Sequence, residues 1–234
     1  MKKNIEITGL PGAGKSTLVN KIIKNNPDIF YDRFDLAIKP YKKISNKRKL
    51  LNVASRLINL NTKGFWYNQD IANEQDQFSK NYPEFYVKAL DNLEIIIQSG
   101  FVPSSFWLRW YFNAWLLIAL TSKRDNIFLH DEGIGQRLIQ YLSVHNVSED
   151  FINQYFFYVD IVVIYDQSFE EALRRACVRD KNKTYGELKG WLEQHSLGIQ
   201  KLKKFAMTNK KIKIVPPSEF PIFLESACTS DMVN

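Results

Sequence analysis

Cysteine is scarce in this chain. Cys177 and Cys228 are its two cysteines, and their spacing matches neither a metal-ligand pair nor a redox motif, which excludes a disulfide-stapled scaffold and a thiol-based centre. Cys177 falls in a predicted helix as a small core residue, and a reducing, cytoplasmic setting is expected. Long apolar runs are missing as well. The greasiest stretch, Trp107 to Leu120, is interrupted by Arg109 and Asn113 and is too short to span a bilayer, so it is expected to be a buried helix and no membrane span is expected. The first residues enter a strand pattern without the apolar region and cleavage site of a signal peptide. There is no internal repeat and no low-complexity tract. A guanine-reading T-K-x-D or N-K-x-D motif is also absent, since Asn182-Lys183-Thr184 lacks the downstream Asp, and this argues against a GTPase.

The remaining composition is that of an ordinary globular protein. At 234 residues, with 45% hydrophobic and 24% charged positions, the chain is long enough for one α/β domain carrying an insertion. Aromatics reach 14% and concentrate at residues 65–67, 106–115 and 155–158, as core packing or as the lining of a pocket. The net charge of +7 gathers in two runs, Lys39, Lys42, Lys43, Lys47, Arg48, Lys49 and Lys201, Lys203, Lys204, Lys210, Lys211, Lys213. Both read first as solvated faces. Neither carries a recognisable RNA- or DNA-binding motif, so a nucleic-acid partner is the less favoured reading.

Gly9-Leu10-Pro11-Gly12-Ala13-Gly14-Lys15-Ser16-Thr17 fits the phosphate-binding pattern G-x-x-x-x-G-K-[ST]. A strand pattern, Asn4 to Thr8, precedes it and a helical period, Thr17 to Ile23, follows it, which is the context that pattern requires. Glycines let backbone N–H groups turn in around phosphates, and the helix start adds its positive end. Gly9, Gly12, Ala13, Gly14, Lys15, Ser16 and Thr17 are therefore the predicted nucleotide-binding residues. Lys15 would reach the β- and γ-phosphates and Ser16 would ligate Mg²⁺.

Further along, Ile29 to Phe34 reads as a strand, and residues 36–125 form a tract with little strand character, with helices expected at 46–61, 83–99 and 105–122. Residues 126–130 read as a strand ending in Asp131-Glu132-Gly133, followed by helices at 134–144 and, capped by Ser148, at 149–158. Asp160 to Tyr165 is a continuous β-branched run of the kind found in the middle of a parallel sheet. Ser168 with Glu171 and Thr184 with Glu187 form capping-box patterns that open helices to about Arg179 and over 185–208. A strand at 212–215 precedes Pro216-Pro217, with Ser218 as cap of a last helix. Strands separated by helices imply parallel crossovers and a helix-covered sheet with ligands at the strand C-termini.

Two more charged signals follow strand ends. Asp131, closing an apolar strand, fits a carboxylate that holds Mg²⁺, and Glu132 is placed to take a proton from a hydroxyl or to orient a water; the alternative is a helix cap. After the fourth strand, Arg175 and Arg179 stand at i, i+4 and can aim together at a phosphoryl group. The alternative there is surface pairing, with Glu171 four residues before Arg175. Arg33 and Asp35, after the second strand, are candidate acceptor contacts or a surface ion pair. His130 is assigned no role.

The order of P-loop, apolar strand ending in Asp-Glu, and strand with capped helix bearing R-R-x-x-x-R resembles the P-loop nucleoside and nucleotide kinase group, with thymidylate and deoxynucleoside kinases as familiar members. The resemblance covers 4–24, 126–182 and 211–216. It implies a single P-loop kinase-like α/β domain over 1–234, a five-stranded parallel sheet of order 2-3-1-4-5 and a lid at 170–190; residues 36–125 lie outside the resemblance and are expected, as a helical insertion, to build the acceptor site. It further implies that Asp131 or Glu132 acts at the transferred phosphoryl and that Arg174, Arg175 and Arg179 close over ATP. Asp131-Glu132-Gly133 stands where nucleotide kinases often have Asp-Arg-Tyr, and the next arginine is Arg137. The expected activity is ATP- and Mg²⁺-dependent phosphoryl transfer to a small-molecule hydroxyl or phosphate acceptor. A nucleotide-switched ATPase or binding protein acting on a macromolecule such as tRNA is the alternative.

Overall fold

A computed structural model describes residues 3–26, 29–32, 78–122, 126–131 and 133–229. The strands are β1 (Lys3–Gly9), β2 (Phe30–Asp32), β3 (Ile127–His130), β4 (Ile161–Tyr165) and β5 (Ile212–Val215). They lie in the order β2-β3-β1-β4-β5, each parallel to its neighbours. The described helices are α1 (Lys15–Asn25), α2 (Pro83–Gln98), α3 (Ser105–Ser122), α4 (Ile134–Leu142), α5 (Glu149–Tyr155), α6 (Phe169–Arg179), α7 (Tyr185–Phe205) and α8 (Phe220–Thr229). The α/β class with a helix-covered parallel sheet is what the alternation of strand and helix patterns predicts.

β1 runs through the middle of this sheet and shows how it is covered. Successive side chains on a strand point to opposite faces. Asn4, Glu6 and Thr8 all turn to one side, where Asn4 meets Thr121 of α3, Glu6 meets the Gly135 amide of α4 and Thr8 meets Gln136 of α4. Ile5 and Ile7 take the other face. All five are fully buried. An alternation of polar and apolar residues ordinarily marks a half-solvated strand. Here both faces are covered, and each of the three polar side chains makes a hydrogen bond on its side of the sheet.

Several boundaries differ from expectation. α4 ends at Leu142, α5 at Tyr155 and α7 at Phe205, short of the expected 144, 158 and 208. At α6 the Ser168 hydroxyl accepts from the Glu171 amide, but the Glu171 carboxylate bonds Arg174 and Arg175 instead of returning to the cap. The Thr184–Glu187 box at α7 forms in full. Ser218 lies in a turn, since α8 begins only at Phe220. The expected helix at 46–61, the aromatic group at 65–67, the basic run 39–49, Arg33, Asp35 and Glu132 lie outside the described residues.

Most of the aromatics at 106–115 and 155–158 supply core, while Phe106 and Phe157 are exposed. Trp107, Tyr111, Trp115, Tyr155 and Phe156 are buried, Trp107 stacks on Tyr111 with ring centroids 5.0 Å apart, and the Tyr111 hydroxyl donates to Ala89 O of α2 (2.7 Å). Cys177 is half-buried and packs against the core. Among the described residues no helix is long and apolar enough to cross a membrane.

Candidate functional site

The parallel register brings three chain segments to one end of the sheet. Glu6 is level with His130 on β3, and Gly9 is level with Tyr165 on β4. The turn that follows β1, Asp131 that follows β3, and the loop into α6 that follows β4 therefore leave the sheet side by side.

The turn itself, residues 10–14, is built on its own carbonyls. Ala13 N donates to Leu10 O (3.1 Å). The Lys15 ammonium donates to Gly9 O (3.1 Å) and Leu10 O (2.9 Å) and is buried. Lys15 is thus a structural clasp of the loop in this state. Gly14, at φ +95°, is the N-cap of α1 and has no side chain with which to cap that end. The first N–H groups of a helix have no partner within it, so an uncapped N-terminus preceded by a left-handed glycine offers donors and a positive dipole end to an anion. Ser16 and Thr17 are exposed on this first turn.

Asp131 is buried, one residue beyond β3. Among the described residues no group of three or more His, Cys, Asp or Glu side chains could hold a metal ion. A donor set of one serine hydroxyl and one carboxylate fits Mg²⁺ carried largely by phosphate oxygens and waters, the usual manner of that ion.

Of the two arrangements their spacing allows, the arginines of α6 adopt surface pairing and do not aim together. Arg175 spans Glu171 (2.6 Å) and the loop carbonyl Ala13 O (3.0 Å). Arg174 makes a two-pronged pair with Glu171 (2.7 and 2.8 Å), and Arg179 makes one with Asp180 (2.9 and 2.6 Å). Glu171, with Arg174 first and Arg175 second as the cause, is held down to about 2, and Arg179 likewise holds Asp180 below the usual carboxylate range. The expected lid, 170–190, is made of α6, a short turn and the start of α7.

A second layer escaped the sequence. Glu6 lies against the N-terminus of α4, where a side chain at Gly133 would overlap its carboxylate and Gly135 N donates to it (3.0 Å). Arg137, buried in the first turn of α4, donates to Gln140 Oε1 (3.0 Å). Gln140 Nε2 lies 3.4 Å from His195 Nε2, and His195 Nδ1 lies 2.9 Å from Trp191 O. The carbonyl accepts only, so Nδ1 carries the proton and Nε2 accepts from Gln140. Burial, with Arg137 and Lys15 nearby, lowers the imidazole to about 4, so it is neutral at ordinary pH. A charged residue in the middle of a β run and two glycines spaced around the start of a helix were the signals available for Glu6. Nothing local pointed to His195. His130 is buried against Asn4 Oδ1 (3.3 Å).

The basic run at 201–213 is partly spent on the fold. Lys201 donates to His145 O, Lys203 pairs with Asp166 (2.6 Å), and Lys211 donates to Phe156 O and Phe157 O. No protein-family model matches the chain, and the curated proteins show no significant similarity to it.

Proposed function

We propose that the chain is an ATP-dependent phosphotransferase, a kinase for a small-molecule hydroxyl or phosphate acceptor, of the P-loop nucleoside and nucleotide kinase type. The observation that carries the reading is the uncapped start of α1 behind Gly14, with Lys15 at its first position, beside a buried Asp131 from the adjacent strand. The strand order β2-β3-β1-β4-β5 further supports it.

In this reading the loop amides and Lys15 bind the β- and γ-phosphates, with Gly9, Gly12, Ala13, Gly14, Ser16 and Thr17 forming the cradle. Lys15 exchanges the carbonyls of Gly9 and Leu10 for phosphate oxygens. Ser16 and Asp131 would hold Mg²⁺, which when bound neutralises charge on the β- and γ-oxygens. Asp131 or Glu132 accepts the acceptor's proton as its oxygen bonds the γ-phosphorus and the bond to the bridging oxygen breaks, releasing ADP. The α2–α3 aromatic layer belongs to the segment assigned to the acceptor. The rival, an ATPase switched by a macromolecule such as tRNA, is weakened where Lys201, Lys203 and Lys211 bond their own chain.

The test is transfer of labelled γ-phosphate across a panel of nucleosides, nucleotides, sugars and RNA. Label is expected on a small molecule, with little hydrolysis in its absence, and Lys15→Ala is expected to lose ATP binding or turnover in a folded protein. Label appearing only as inorganic phosphate, with turnover stimulated by RNA, would overturn the kinase in favour of the switch.

A further inference from the structure

We propose that Arg175 is a positioning residue for the loop: its guanidinium holds the Ala13 carbonyl toward α6 and thereby turns the Gly14 N–H into the anion site. The inference rests on the reading of residues 9–17 as a phosphate-binding loop, and it departs from the sequence-based assignment of Arg175 to the transferring phosphoryl group.

The anchoring is two-sided. Arg175 Nη1 donates to Ala13 O at 3.0 Å while Nε donates to Glu171 Oε1 at 2.6 Å. A planar guanidinium held at two of its edges has little freedom left. Glu171 is itself fixed, accepting two bonds from Arg174, with its amide on the Ser168 hydroxyl that caps α6. The carboxylate stays ionised well below neutral pH because both arginines hold its proton off, so the brace persists across the range in which an enzyme would work.

The peptide unit carries the effect to the ligand. No cis bond occurs among the described residues, and in a planar trans unit the C=O of Ala13 and the N–H of Gly14 point in opposite directions. Fixing the carbonyl toward α6 fixes that N–H away from it, on the inner side of the turn where the start of α1 also opens. Left alone, a glycine-bounded peptide can rotate freely, and a donor that must be reoriented on binding costs affinity.

The loop glycines make this contact sterically open. At Gly14 (φ +95°) a Cβ would stand 2.5 Å from Arg175 Nη1, and at Gly12 (φ +81°) one would stand 2.6 Å from Ala172 O and 3.4 Å from Ala176 Cβ. Ala172 and Ala176, on the α6 face that meets the loop, are small and fully buried. Gly12 and Gly14 thus admit α6 on the outside of the turn while leaving backbone donors for a phosphate on the inside.

The test uses the full chain labelled with nitrogen-15 glycine, with inorganic pyrophosphate as the probe. In the free protein the Gly14 amide is expected to be rigid, with an order parameter near about 0.85, and to fall toward about 0.6 in Arg175→Ala. Pyrophosphate is expected to bind the variant about tenfold more weakly, the scale of one lost charge-assisted bond, with Arg175→Lys intermediate. Glu171→Gln, which leaves the guanidinium but removes its anchor, is expected to loosen Gly14 in the same direction and serves if Arg175→Ala does not fold. An unchanged order parameter in both variants overturns the proposal, as does unchanged pyrophosphate affinity with only the transfer rate reduced, which would return Arg175 to the phosphoryl group. Failure of the parent protein to bind pyrophosphate or ATP would instead overturn the phosphate-loop reading, and the order parameters of the free protein would still decide the brace.

Discussion

Asn92 sits fully buried on α2, and among the described residues neither its amide nitrogen nor its amide oxygen has a hydrogen-bond partner. The preceding turn of the same helix receives the Tyr111 hydroxyl at Ala89 O. Burying an amide without partners costs about 1–3 kcal/mol. Asn92→Leu, similar in shape and apolar, is therefore expected to raise the melting temperature, measured by calorimetry. A fall would show that the amide has a partner that this state lacks. Lys15 is the opposite case, a buried cation that donates to Gly9 O and Leu10 O.

At the scale of elements, α7 is tied to the rest of the fold through α4. Gly198 stands where the two helices touch, and a Cβ there would overlap the Ile139 carbonyl. A helical glycine ordinarily weakens its helix by about 1 kcal/mol relative to alanine, so on propensity alone Gly198→Ala would stabilise the protein. The overlap is with backbone, which cannot rotate out of the way, and overpacking of this kind costs about 1–3 kcal/mol. Packing wins, and Gly198→Ala is expected to lower the denaturant midpoint. A higher midpoint would mean that α7 slides freely along α4.

At the scale of the whole molecule, His195 links charges from several elements. Arg137 of α4 and Lys15 at the start of α1 both disfavour its cationic form, although burial is the larger cause. Its pKa is lowered from 6.5 to about 4 in the fold, so below pH 6.5 the unfolded chain binds the proton more readily than the folded one. Stability is then fully present above the unfolded value and falls as pH drops toward 4, by about 3 kcal/mol in all. His195→Gln keeps a neutral hydrogen-bonding side chain and is expected to remove that portion of the acid slope in urea titrations at pH 7, 5.5 and 4.5. Parallel slopes for the two proteins would show that His195 is not the group responsible.

The sequence by itself determined what depends on neighbours in the chain. The glycine-rich turn between a strand and a helix, the β-branched run of β4, the extents of α2 and α3 within a residue, and the reciprocal Thr184–Glu187 cap were all legible, because periodicity and capping act over a few positions. Tertiary structure decided everything that rests on contacts between distant segments. The Asn4-Glu6-Thr8 face of β1 is buried because α3 and α4 pack over it. Glu171 abandons its capping box because two arginines outbid one amide for a carboxylate, charge-assisted bonds being the stronger. Arg175 turns to Ala13 O, 162 positions away in the chain, because the parallel register of β1 and β4 sets α6 beside the loop. No local pattern encodes that neighbour, since it exists only once the strands have paired.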